Sequence, residues 1–272
     1  MSIARKVMSG GGVFSPEQLF RAGDEGGFWD ANDPDTVFSD TAGTIPATHG
    51  SLLYYWKDKS PNANHLRYGD TGTADDVPAY YYTDQDGGPS CSRPGTGTVS
   101  SRGRALTTIG TTGNSNVGPP WTIACIVALN DTGGGASSAI WAGAYKDAND
   151  SITAHMSSKT GKTIGSRMNA DTLGYASSNV NGVGTLTDDV AAYQLCVSTE
   201  GVSGTNSVFL DTVSQGSSPY AHNWEAGTIA MPLVVGLGDF DMRVHAVFQI
   251  DRVLTAFEQG KLDAWMMTRK AV

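Results

Sequence analysis

The segment WTIACIVAL, residues 121 to 129, constrains this chain more than any other. Its bulkier residues Trp121, Ile123, Cys125, Val127 and Leu129 occupy alternate positions, with smaller residues between them. Only extended backbone sends alternate side chains to one face, so the segment reads as a strand with one face in a core. RVHAVFQI (243–250) alternates too, with Val244, Ala246, Phe248 and Ile250 on one side. His245 then lies on the opposite side, facing solvent or a partner. SAIWAGAY, AAYQLCVS, NSVFLDTV and MPLVVGLG are further apolar runs, each bounded by Gly, Asn, Asp or Ser. Short strands punctuated by turn residues specify a β-sandwich or barrel.

Composition agrees with this reading. Charged residues make up 17% of the chain, and 34 of its 272 residues are Gly, which favours turns between strands over helices. All-β domains of this length often fold as one unit. A net charge of −9 argues against a nucleic-acid partner, which needs clustered Lys and Arg. No run approaches the ~18 apolar residues of a membrane span. MSIARKVMSGGG lacks the apolar run of a signal peptide, so the expectation is a soluble chain without membrane insertion, folded in a reducing cytoplasm. Cys91, Cys125 and Cys196 form no CxxC pair and read as small buried hydrophobes, with a Cys125–Cys196 bridge left open.

Residues 1–13 read as an N-terminal arm ending in three glycines. It is either a disordered tail or a docking arm that orders on a partner through Ile3, Arg5, Lys6, Val7 and Met8. Residues 14–272 then form a single sandwich domain, with extended loops around 62–115. SPEQLFRAG predicts a short helix with Ser15 as cap and Gly23 closing it. At the other end, Thr255 and Glu258 make a capping-box pattern. The helix that follows should pack Phe257, Leu262, Trp265 and Met266 on the sheet.

VHAVFQIDRVLTAFEQGKLDAWM resembles the last strand and closing helix of laminin-G-like, concanavalin A-type jelly rolls. WTIACIVALNDTG is similar to the first long core strand of that family, and AAYQLCVSTEGVSGTNSVFLDTV to its hairpin, so the resemblance covers residues 121–265. The N-terminal phrases SPEQLFRAGDEGGFWDANDPDTVFSDTAGT, WKDKSPNANHL and PAYYYTD resemble the leader of concanavalin A-like structural proteins of tailed bacteriophages. After Asp84 the chain departs from that pattern, with QDGGPSCSRPGTGTVSSRGR replacing an apolar strand. The resemblance implies an all-β, concanavalin A-like jelly-roll sandwich with a short N-terminal and a C-terminal helix. It also implies a virion location and a non-enzymatic role, decorating the head or sitting on the tail. The partners would be other phage virion proteins, with self-association as a further contact. A lectin-like adsorption protein that holds host surface glycan is the alternative.

The residues themselves offer little catalytic chemistry. Retaining glycosidases need two carboxylates about 5–5.5 Å apart. None of the five Glu lies within four residues of another, and Asp239 and Asp241 are the nearest imitation of a pair. The five His accompany no GxSxG or HExxH motif. DANDPD (30–35) offers oxygen ligands but fails the calcium-loop pattern and reads as a turn, so neither metal nor cofactor is expected. Consecutive aromatics in a strand point to opposite faces, so YYW (54–56) and YYY (80–82) must each expose a ring or bury it under a loop. Tyr54, Tyr80, Tyr81 and Tyr82, with His245, are therefore candidate contacts to a glycan or a neighbouring subunit. In WKDKSPNANHL (56–66) Trp56 belongs to the core, and Asp58, Ser60 and Asn62 satisfy backbone groups of a tight loop.

Overall fold

A computed structural model describes residues 13–68, 79–83, 89–93, 106–108, 114–117, 120–129, 139–145, 150–158, 161–170, 175–199, 204–220, 229–237 and 242–270. A 3₁₀ turn, Pro16–Leu19, comes first. It precedes β1 (Gly26–Asp30), β2 (Val37–Phe38), β3 (Leu52–Leu53), β4 (Tyr55–Trp56), β5 (Leu66–Tyr68), β6 (Ala79–Tyr82) and β7 (Ser90–Arg93). Next are β8 (Leu106–Thr108), β9 (Asn114–Val117), β10 (Trp121–Leu129), β11 (Ala139–Tyr145), β12 (Asp150–Ser158) and β13 (Thr163–Ala170). The series ends with β14 (Tyr175–Thr185), β15 (Ala192–Ser198), β16 (Gly204–Leu210), β17 (Val213–Tyr220), β18 (Ile229–Leu237), β19 (Met242–Ile250) and the helix α1 (Ala256–Lys270).

Two antiparallel sheets result. The first runs β17-β16-β15-β10-β19-β7-β6-β3, and the second runs β14-β13-β12-β11-β18-β8-β5-β4-β2. In the first sheet β10 lies along one edge of β19. The other edge is shared, with β1 opposite residues 246–250 and β7 opposite 242–244. The chain is an all-β sandwich, as the alternation predicts.

Between the sheets, Trp121, Ile123 and Cys125 meet Trp141, Ile152 and Leu233 in one buried cluster. Trp29, Trp56, Trp121 and Trp141 are all fully buried. Each takes roughly 200 Å² out of water, on the order of 5 kcal/mol. The first sheet has a second core on its other face. There Ala124, Ile126, Tyr193 and Phe248 pack beneath Leu262 and Met266 of α1. Burial on both faces explains why the alternate positions of β10, Thr122, Ala124, Ile126 and Ala128, carry no charge.

α1 starts where the capping pattern places it. Thr255 N donates to Glu258 Oε2 at 2.9 Å, and Glu258 N donates to Thr255 Oγ1 at 3.3 Å. Arg252 binds both carboxylate oxygens of Glu258, at 2.9 and 3.0 Å, and also Asp24 at 2.9 Å. This network ties the helix to the N-terminal turn.

Three local expectations need correction. The short N-terminal helix is present as a four-residue 3₁₀ helix, but it ends at Leu19 rather than near Gly23, and Ser15 Oγ binds the Glu17 carboxylate rather than capping backbone. Phe257 is 72% exposed, its ring lying beside Lys261 instead of on the sheet. His245 is buried, because the register between β10 and β19 slips: Ile126 faces Ala246, yet Val127 faces Val244. The bulge puts Val244 in the core between the sheets and Ala246, Phe248 and Ile250 in the core under the helix. The docking arm, Ile3 to Met8, and much of the 62–115 stretch lie outside the described residues.

Candidate functional site

The helix covers only part of the first sheet. Among the described residues, no member of the core beneath it belongs to β3, β6 or β7. On β6 the alternation of a strand divides the tyrosine triplet. Tyr81 turns inward, 3% exposed, and its hydroxyl donates to Ala31 O at 3.1 Å. Tyr80 and Tyr82 share the outward face, both partly exposed, with ring centroids 6.3 Å apart and planes 35° apart. His49 sets its ring edge-on to Tyr82, with centroids 5.3 Å apart. Its Nδ1 accepts from Thr83 N at 3.3 Å.

Register extends this face across the sheet. Tyr80 pairs with Ser92, and Ser92 pairs with Arg243. Val244, Cys91 and Tyr81 all belong to the core between the sheets, so the residue preceding Val244 and the residue preceding Tyr81 stand on the outward side. Arg243 Nη2 binds Asp189 Oδ1 at 3.0 Å. The Arg243 side chain is 9% exposed and that of Asp189 49%. Beside them His245 Nδ1 donates to Pro89 O at 3.1 Å.

Of the sequence-derived candidates, Tyr80 and Tyr82 thus come together on one face. Tyr81 is withdrawn into the core and His245 is buried next to β7. Tyr54 lies apart, in the crossing from β3 to β4 that links the two sheets. Sequence reasoning missed Arg243 and His49. The strand register that carries Arg243 to the tyrosines runs through β7, whose SCSR has no apolar alternation to announce a strand.

The WKDKSPNANHL loop is a structural tie. Asp58, 3% exposed, accepts from Phe28 N, Ser60 N and Asn64 N at 2.8 Å each and from Ser60 Oγ at 2.7 Å. Asn62 and Asn64 donate to Gly26 O at 3.1 and 2.7 Å. Both thereby clamp the start of β1. In DANDPD, Asp30 binds Arg269 and Asn32 N, while Asp33 binds Lys59 and Asp35 N. Among the described residues no cluster of three or more His, Cys, Asp or Glu is placed to hold a metal ion. The three cysteines are free and buried, and burial pushes the Cys91 and Cys196 thiols up to about 12. Asp239 and Asp241 lie outside the described residues. No helix among the described residues is long and apolar enough to cross a membrane.

No protein-family model and no curated protein matches the chain. Solved structures match in shape. An arabinofuranosidase complexed with arabinofuranosyl-alpha-1,2-xylobiose superimposes with a TM-score of 0.62 at 10% identity, over 94% of this chain and 65% of that one. The binding domain of Paraclostridial Mosquitocidal Protein 1 gives 0.51 at 12% identity, over 80% of this chain and 52% of that one. Trypanosoma rangeli sialidase in complex with sialic acid gives 0.49 at 14% identity, over 92% of this chain and 34% of that one. The chain therefore spans between about a third and two-thirds of these proteins. At such identities the likeness establishes the fold.

These matches correct the expectation of a non-enzymatic phage virion structural protein. Those with a TM-score above 0.5 are an arabinofuranosidase and a toxin's binding domain, and neither is a phage component. The physical reason is that the core strands and closing helix encode a sandwich, and one sandwich serves many functions.

Proposed function

We propose that the chain is a carbohydrate-binding sandwich that holds a saccharide on its tyrosine face. The observation that carries this reading is the pair Tyr80 and Tyr82, partly exposed on one face with centroids 6.3 Å apart. Two such rings offer apolar surface to sugar C–H groups and hydroxyls to sugar oxygens. They lie on a strand whose middle residue, Tyr81, is anchored in the core, so the platform is formed before the ligand arrives. Binding suits this face better than hydrolysis. The strands β3, β6, β7 and β19 carry no Asp or Glu, whereas the common glycosidase route needs two carboxylates. The arabinofuranosidase, complexed with arabinofuranosyl-alpha-1,2-xylobiose, adds that this fold accompanies sugar binding in another protein.

Electrophoresis through gels containing different polysaccharides tests the reading. At least one polysaccharide should retard the wild-type chain. The double change Tyr80→Ala with Tyr82→Ala should remove the retardation and keep the melting temperature within a few degrees. Unchanged retardation in that variant, or release of reducing ends by the wild-type chain, would overturn the proposal.

A further inference from the structure

Arg243 is an outlier among the buried groups of this face. Its Nε and Nη1 are shielded from solvent and have no hydrogen-bond partner, while Nη2 alone binds Asp189. A guanidinium is always charged, and it is seldom buried with donors unused. A shielded donor left unmade keeps its full desolvation penalty, which is greater where the group is charged. The single partner compensates little of this, because solvent screens an ion pair to a half-exposed carboxylate. Nothing in the packing of the sheet requires the expense. Gln249, on the same strand, also lies buried in the sheet and carries no charge.

The position of this guanidinium relative to the tyrosines is fixed by register. Arg243, Ser92 and Tyr80 face one another across β19, β7 and β6. Two strand spacings separate the outer pair, or about 10 Å between backbones. A sugar ring lying on Tyr80 thus has its substituents within reach of a side chain as long as arginine. The donor set also discriminates between ligands. A hydroxyl satisfies one donor at a time, while a carboxylate offers two oxygens and a charge, the match for which arginine is suited.

We propose that the saccharide held on the Tyr80–Tyr82 face contains an acidic sugar, and that Arg243 receives its carboxylate. This rests on the carbohydrate-binding reading and narrows it to uronate-type or similarly carboxylated glycans. Asp189 acts as the stand-in anion of the empty face. It holds Nη2 until the ligand carboxylate engages the remaining donors. Since Nε and Nη1 are shielded, the neighbouring side chains give way locally as the carboxylate enters, and neutral sugars have no reason to drive that movement. The net charge of −9 opposes a long polyanion at a distance. At physiological ionic strength that repulsion is screened within about 8 Å, so a short oligosaccharide still reaches the site.

The test uses the full chain and three probes of equal length: tri-galacturonate, its methyl ester, and a neutral galactotriose, titrated calorimetrically. The wild-type chain should bind the acid at least tenfold more tightly than the ester or the neutral sugar. In Arg243→Gln the acid should fall to the affinity of the other two, while their binding stays within about twofold. If Arg243→Gln does not fold, the acid-to-ester ratio of the wild-type chain still decides the matter. A purely structural Arg243 would lower the melting temperature on substitution and leave that ratio near one in the wild-type chain. Equal binding of all three probes by the wild-type chain refutes the acidic-sugar inference and leaves the carbohydrate reading standing. Failure of these probes and of a wider set of glycans to bind refutes both.

Discussion

Asp58→Ala removes one carboxylate that serves four donors. Three of these are backbone N–H groups, of Phe28, Ser60 and Asn64, and the fourth is the Ser60 hydroxyl. The hydroxyl can turn to another acceptor; the backbone groups cannot. Leaving three buried N–H groups unmade costs about 1–3 kcal/mol each, reduced where water enters the space left by the side chain. A net loss of about 3–5 kcal/mol follows, a large part of the 5–15 kcal/mol that holds most domains folded. Scaled by about 2.1 cal/mol/K per residue to 272 residues, this lowers the melting temperature by about 5–9 °C. Asp58→Asn keeps one acceptor oxygen but turns an NH₂ toward a donor, so it should lose part of the same stability. Differential scanning calorimetry on the three chains measures this directly. An unchanged melting temperature in Asp58→Ala, with saccharide binding lost, would show that the loop is a ligand site and the structural argument is wrong.

Other consequences of the structure can be measured separately. Burial of His155 holds its pKa down at about 4, despite the hydrogen bond to Asn181 at 3.0 Å. As pH falls below 6.5 the unfolded chain takes up a proton that the folded chain refuses. Stability should therefore decline by about 3 kcal/mol between pH 6.5 and about 4, and His155→Gln should remove that part of the slope in urea titrations. Burial would push Glu258 up, but hydrogen bonds from Arg252, Thr255 and Arg21 hold it at about 2. Its contribution is complete above pH 4.5 and is lost as pH falls through about 2. Glu258→Gln should accordingly cost about 1–2 kcal/mol at pH 7 and flatten the acid limb, as judged by chemical denaturation at both ends of that range. Gly26 has φ +115, and a Cβ there would sit 2.1 Å from Gln249 O. Gly26→Ala should lose at least about 2 kcal/mol by calorimetry, and a loss under 0.5 kcal/mol would contradict the close approach of β1 to β19.

The long strands were legible because burial imposes period two on them. WTIACIVAL keeps Trp121, Ile123, Cys125, Val127 and Leu129 between the sheets and Ala124 and Ile126 under α1, as its alternation indicates. RVHAVFQI follows the same rule only from Ala246 onward. The bulge at His245 breaks the count, and no residue type marks it. The helix start was legible because Thr255 and Glu258 form a local hydrogen-bonded unit. Phe257 was misplaced because, at 3.6 residues per turn, it lies about 140° round the helix from Leu262 and about 180° from Met266, so α1 turns it outward beside Lys261. Tyr80 and Tyr82 could be picked out from strand geometry alone. Arg243 could not, since its place in the site depends on which strands pair across the sheet. That pairing brings residues 80, 92 and 243 into one row and leaves no trace in any local stretch.

The most direct test of the central claim is an NMR titration of the chain carrying ¹³C-labelled tyrosine rings against an oligosaccharide that it retains. The account predicts saturable shifts of the Tyr80 and Tyr82 ring signals, with Tyr193, buried under the helix, unmoved. Saturable binding that leaves Tyr80 and Tyr82 unchanged, with backbone shifts instead around Asn179 and Asn181 on the second sheet, would place the sugar elsewhere and contradict the account.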